Sequence, residues 1–204
     1  WGWKDDLAAS AYVFPLDWVD MGETQKRRYA VIADVWIPTH GNRDTNHEPW
    51  RQWIIDGHLM PTDSEWTDTE AIYRTIDMRR KMYSIRSVAF DPANAREFGS
   101  KCVNEYGMET YEFYQTPKKY NEPLRELITA LHEGRVIHGG NPLLHWCATN
   151  LVSKEDSAGL IMPWKGKAQD KIDPIVAVLM AFSEAMFCEP KKPSIYESRG
   201  PLVI

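Results

Sequence analysis

Two stretches of alternating apolar character open the chain. Leu7 to Leu16 and Arg28 to Pro38 (RYAVIADVWIP) are rich in β-branched and aromatic residues, the mark of strands. The polar run DMGETQKR lies between them, so the pair predicts an antiparallel hairpin. THGNRDTN then reads as a loop, and His47 to Asp56 as a short helix stopped by Gly57. After a turn over Pro61 to Trp66, the helical period returns in Asp68 to Tyr83, with Ala71, Ile72, Ile76 and Met82 facing inward. Its last turn carries Arg79, Arg80 and Lys81, where cations suit the helix dipole.

Ser84 to Phe90 is a short strand, Asp91 ends it, and Pro92 opens a helix to about Tyr106. Met108 to Tyr114 predicts another strand. Glu122 to Glu133 is an amphipathic helix, with Leu124, Leu127, Ile128 and Leu131 at i, i+3, i+4 and i+7 and Gly134 as its stop. Val136 to His138 is extended, Gly139 and Gly140 turn, and Pro142 to about Ala148 is helical. The stretch beginning at Ser153, SKEDSAGLIMPWKGKAQDKIDPIVAVLMAF, passes from a polar turn through a lysine-bearing loop into an acidic helix start. Ile175 to Phe182 has no polar residue, the pattern of a helix buried on most sides. Strands first, then alternating helices and strands, predict an α/β layer with a mixed sheet.

The totals fit one domain. A chain of 204 residues, 43% hydrophobic and 26% charged, is long enough for a proper core and is neither disordered nor membranous. No run approaches the roughly 18 apolar residues of a spanning helix. Three widely spaced cysteines without a CxxC pair suit reduced thiols better than disulfides or zinc. A net charge of -5 excludes a surface coated in DNA-binding charge, and leaves room for local contacts around an acidic metal site. The opening on Trp1 and the proline- and lysine-bearing tail from Glu189 lead us to expect a fragment of something longer: a domain over 1–188 and a loose tail over 189–204.

Asp91 and Asp173 share one local form, acid followed by proline and helix. By spacing alone each is an N-cap. Together they are also candidate ligands, because acids at strand ends lie at the carboxyl edge of an α/β sheet, where ligands bind. Hard cations want oxygen donors, and two ions about 3.5–4 Å apart activate water and stabilise the leaving oxygen of a phosphodiester. Asp170, Asp5 and Asp6 are weaker candidates. His138, ahead of two glycines, is a candidate auxiliary base or ligand against the commoner structural role. Lys165, Lys167 and Lys171 are candidates for DNA phosphates, against a solvated loop. Trp1, Trp3 and Trp164 are candidate interface residues.

HGGNPLLHW, the AGLI turn and DKIDPIVAVLMA, in that order, together resemble the C-terminal part of the large terminase subunit of tailed double-stranded DNA bacteriophages. The resemblance extends upstream through VAFDPANA, EPWRQW and DDLAASAY, from Lys4 to about Met186. It implies the nuclease domain of a DNA-packaging motor: a ribonuclease H-like mixed sheet flanked by helices, cutting concatemeric DNA with Mg²⁺ or Mn²⁺, two ions being expected. Asp91 matches the family's middle-strand acid and Asp173 its helix acid. The first-strand acid is expected immediately before Trp1, and Asp6 matches an aspartate a few residues after it. No GxxxxGK[ST] phosphate loop occurs, so the ATPase domain of the full-length protein is expected outside this chain. The implied partners are double-stranded DNA, that ATPase domain, the small terminase subunit and the portal, in the host cytoplasm and with no membrane. The competing readings are a silent docking module for the ATPase or portal, and a ribonuclease H-like resolvase or transposase-type nuclease.

Overall fold

The computed structural model describes residues 6–40, 44–46, 48–167 and 169–188; Trp1, Trp3, Asp5 and the 189–204 tail lie outside them. The predicted hairpin is there and is longer than its apolar pattern. β1 (Ala8–Met21) and β2 (Thr24–Pro38) pair antiparallel from Ala8↔Trp36 to Met21↔Thr24. Most of the polar run expected to be a connection is therefore strand, and Gly22, at φ +77°, opens the two-residue turn that a tight hairpin requires. The register shifts between Pro15 and Trp18, a bulge beside a proline that has no N–H for the ladder.

α1 (Trp50–Ile55) leads into β3 (Met60–Thr62), a strand that replaces the expected turn and runs parallel to the end of β2. α2 (Thr69–Met82) is capped by Asp68, whose side chain accepts from Ala71 N at 3.0 Å. Ile72 and Ile76 are buried as expected, whereas Met82, the last residue of the helix, is exposed. β4 (Ser87–Phe90) and β5 (Glu109–Glu112) form a separate parallel pair around α3 (Arg96–Asn104). α4 (Pro117–His132) begins earlier than its apolar repeat. β6 (Val136–Ile137) pairs parallel with the start of β2. After α5 (Pro142–Thr149), the expected turn and loop are in fact an antiparallel hairpin of β7 (Leu151–Glu155) and β8 (Ile161–Lys165), followed by α6 (Asp173–Ala185).

Alternation along β2 divides the molecule into layers, because successive side chains in a strand point to opposite faces. Tyr29 and Val31 meet α4 and α6 through Leu124, Leu127, Leu179 and Phe182. Val35 and Ile37 pack on the same face with Trp50, Trp53 and Leu143 of α1 and α5. From the opposite face Trp36 joins Ile72, Phe98 and Cys102 of α2 and α3. Asp34, only 6% exposed, reaches Arg79 of α2 there in a two-pronged pair at 2.6 and 2.8 Å, so that a charge leaving water is met by a fork of donors. Helices thus cover a mixed sheet on both sides.

β6 is too short to hold itself. Arg135, 2% exposed, fixes it by donating to Arg27 O at 2.7 Å, Glu133 at 2.6 Å and Glu126 at 2.8 Å. Among the described residues the cysteines form no disulfide: Cys102 and Cys147 are buried, and Cys188 is half-buried with its sulfur accepting from Arg86 Nη1 at 2.9 Å. Among the described residues, no helix is long and apolar enough to cross a membrane.

Candidate metal and nucleic-acid site

β1 and β4 are not ladder partners. Between them, under α6, lies a cavity of about 550 Å³ whose wall includes both Asp91 and Asp173. The sheet and the helix that the acids belong to therefore bring them to one space.

Asp91 leaves the carboxyl end of β4. Phe113 N donates to Phe90 O at 2.8 Å, so the β4–β5 ladder runs up to the residue before it. The expected helix does not open at Pro92; it starts at Arg96. Asp91 instead folds a turn over itself, with Oδ1 accepting from Ala93 N at 3.0 Å and its carbonyl from Asn94 N and Ala95 N, the bonding of an Asx turn. Oδ2 accepts from Asn94 Nδ2 and Gln115 Nε2, both at 2.8 Å.

Asp173 is differently placed. It is the first residue of α6, not its cap: that position is Ile172, and no side-chain bond caps the helix. Among the described residues its Oδ2 is buried without a hydrogen-bond partner. Burial pushes its carboxyl above the ordinary carboxylate range, and the charge of Asp6 pushes it further, against the pull of Lys165, its own backbone N–H and Lys171. Burial also pushes the nearby Cys147 thiol up to about 12, helped by the charge of Asp173. Cys147 does not line the cavity, whereas Asp91 and Asp173 bring carboxylate oxygens to its wall.

The weaker candidates fall around this pair rather than in it. Asp6 is off the cavity wall and is held by Lys171 Nζ at 2.8 Å. Asp170 closes its own loop, accepting from Lys167 N at 2.7 Å, and does not line the cavity. His138 is exposed past the end of β6, outside the cavity. Lys165 ends β8, while Lys167 is exposed in the following loop. Trp164 is half exposed on β8, with Lys154 Nζ 4.2 Å above its ring.

Among the described residues no three His, Cys, Asp or Glu side chains gather closely enough to cage a metal. The two carboxylates nevertheless fit a hard, water-retaining cation. Mg²⁺ characteristically binds through one or two carboxylates plus substrate phosphates, and the unpartnered buried oxygen of Asp173 is one that a cation would satisfy. Sequence reasoning missed Asn94 and Gln115, which show no pattern before the fold brings them to Asp91. It also missed Glu184, which lines the same cavity about 16 Å further along α6.

Residues 4–189 match the family model described as the terminase large subunit, endonuclease domain. Protein YmfN of Escherichia coli (strain K12) is 28% identical over 170 residues, which is 79% of this chain and 37% of that protein. The terminase large subunit of Enterobacteria phage HK97 is 28% identical over 169 residues, 80% of this chain and 33% of that protein. The crystal structure of the HK97 bacteriophage large terminase superposes with a TM-score of 0.72 at 27% identity, covering 89% of this chain and 37% of that one. The chain thus spans about a third of the length of these relatives.

Proposed function

Because the chain belongs to the terminase large subunit endonuclease domain family and has the ribonuclease H-like fold of that domain, a mixed sheet flanked by helices, we propose that it is a metal-dependent DNA endonuclease. In this reading residues 1–188 form the cutting domain of a packaging terminase, 189–204 form a tail, and the substrate is concatemeric double-stranded DNA in the host cytoplasm. Its partners are the ATPase domain of the same full-length protein, the small terminase subunit and the portal.

The observation that carries the reading is the opening of Asp91 and Asp173 on one cavity, with an oxygen of Asp173 buried and unpaired. Both residues would hold Mg²⁺ or Mn²⁺. When bound, such an ion activates water and stabilises charge on the phosphodiester oxygens. Asp173 contributes a carboxylate whose burial makes its charge costly in water-free surroundings, so that a cation is strongly favoured beside it. Asp91 contributes a carboxylate already oriented by three donors. Lys165 and Lys167 draw the DNA backbone towards the start of α6 by charge. Lys171 belongs partly to the site itself, since its ammonium neutralises Asp6 beside Asp173.

The test is cleavage of supercoiled plasmid in Mn²⁺ by the chain carrying an aspartate immediately before Trp1. Nicked and linear products are expected. No cleavage above that of an Asp91→Asn, Asp173→Asn control would overturn the reading.

A further inference from the structure

Gln115 sits where β5 gives way to α4. The parallel register sets Phe90 beside Glu112, so the residues just past β5 run alongside those just past β4, where Asp91 stands. Thr116 N donates to Tyr114 O at 2.8 Å, a three-residue turn centred on Gln115. From that turn Gln115 Nε2 reaches Asp91 Oδ2 at 2.8 Å, and Gln115 shares the wall of the same cavity.

The donors on Asp91 are unevenly divided. A carboxylate offers about four lone-pair positions over its two oxygens. Among the described residues Oδ2 takes two side-chain amides, from Asn94 and Gln115, while Oδ1 takes only the backbone N–H of Ala93. The two oxygens are equivalent, so a half turn restores the same bonds; what the pair of amides fixes is the plane of the carboxylate, and with it the oxygen position beside Ala93 N that keeps spare capacity. A lysine or arginine at position 115 would hold the carboxylate equally well, but its charge would compete with any cation. A neutral amide orients without competing.

We propose that Gln115 is a positioning residue that locks the plane of the Asp91 carboxylate so that the oxygen accepting from Ala93 N is its metal-coordinating one. The inference rests on the reading of Asp91 as a ligand. Partners that orient metal ligands matter to binding: removing one typically weakens metal affinity about 10–100-fold.

The experiment is calorimetric titration, with Mn²⁺ alone, of the chain carrying an aspartate immediately before Trp1, for this parent, Gln115→Leu and Asp91→Asn, with the Tm of each in chelator. Gln115→Leu is expected to lose about tenfold or more in Mn²⁺ affinity while its metal-free Tm stays with the parent's, because the residue is exposed on a loop. In cleavage, the Mn²⁺ concentration for half-maximal rate should rise while the rate at saturating Mn²⁺ is largely retained. An affinity for Gln115→Leu equal to the parent's, with Asp91→Asn defective, would overturn the positioning role and leave the nuclease reading intact. A lowered metal-free Tm in both Gln115→Leu and Gln115→Ala would overturn it too, assigning the residue to the fold. A parent that does not bind Mn²⁺, or an Asp91→Asn that binds it as the parent does, would overturn the nuclease reading and this inference with it.

Discussion

Asp91, at the end of a strand, and Asp173, at the start of a helix, open on the same cavity, and they arrive there in opposite states. Asp91 is satisfied by three donors. Asp173 is desolvated, with one oxygen unpaired. One is held in place and the other held at a cost, an asymmetry that a shared cation would resolve.

The cost at Asp173 has a pH signature. Its carboxyl is raised above 3.8 by burial and by Asp6, so the folded state holds that proton more tightly than the unfolded chain does. Its contribution to stability is therefore complete below pH 3.8 and is lost as pH rises through the raised value. Asp173→Asn in chelator should accordingly have a higher Tm than the parent at neutral pH, the gap closing as pH falls towards 3.8. Thermal melts of both across that range check this. A parent that gains on the variant as pH rises would contradict it.

Close packing behind Asp91 gives a second expectation. A Cβ at Gly99 of α3 would overlap the ring of Phe90, the chain neighbour of Asp91. Gly99→Ala should cost about 1–3 kcal/mol, the usual penalty of overpacking, read as a lowered Tm. It should also weaken Mn²⁺ binding, because the displaced ring drags Asp91. An unchanged Tm would show that α3 does not press on β4 there.

Salt dependence tests the lysines. Replacing Lys165 and Lys167 by Ala should lower duplex affinity and flatten the plot of log affinity against log salt by up to about 0.9 for each phosphate no longer neutralised. Lys171→Ala should flatten it less, since that ammonium already pairs with Asp6. Fluorescence anisotropy on a labelled duplex measures all three slopes. Equal slopes for the parent and the double variant would remove these residues from the DNA path.

Much of this was legible in the sequence because period and length were unambiguous. The β1–β2 hairpin follows from alternation, and α6 from eight apolar residues in a row, Ile175 to Phe182. β3 was not legible, for it is three residues that are a strand only by lying against β2, whereas β6, equally short, was legible as an extended piece over Val136 to His138 but not as a partner of β2. β7 and β8 hid for another reason: Val152, Lys154 and Trp164 are all exposed, so the buried-exposed alternation that marks a half-buried strand is missing. In α4 the apolar repeat predicts a start at Glu122, yet Pro117 opens the helix and Pro123 lies inside it. The buried face then runs through Tyr120, Leu124, Leu127 and Ala130, leaving Ile128 and Leu131 at 41% and 48% exposed. The resemblance picked out Asp91 and Asp173, while the amides that orient Asp91 became visible only once β5 lay beside β4.

The most direct test is a double-mutant cycle in Mn²⁺ affinity, measured by calorimetry on the parent, Asp91→Asn, Asp173→Asn and the double variant. If both carboxylates grip one ion, each single variant loses most of the affinity and the double variant loses far less than the sum, the non-additivity of groups acting as a unit. Strictly additive losses, or a single variant that binds Mn²⁺ as tightly as the parent, would contradict the shared site.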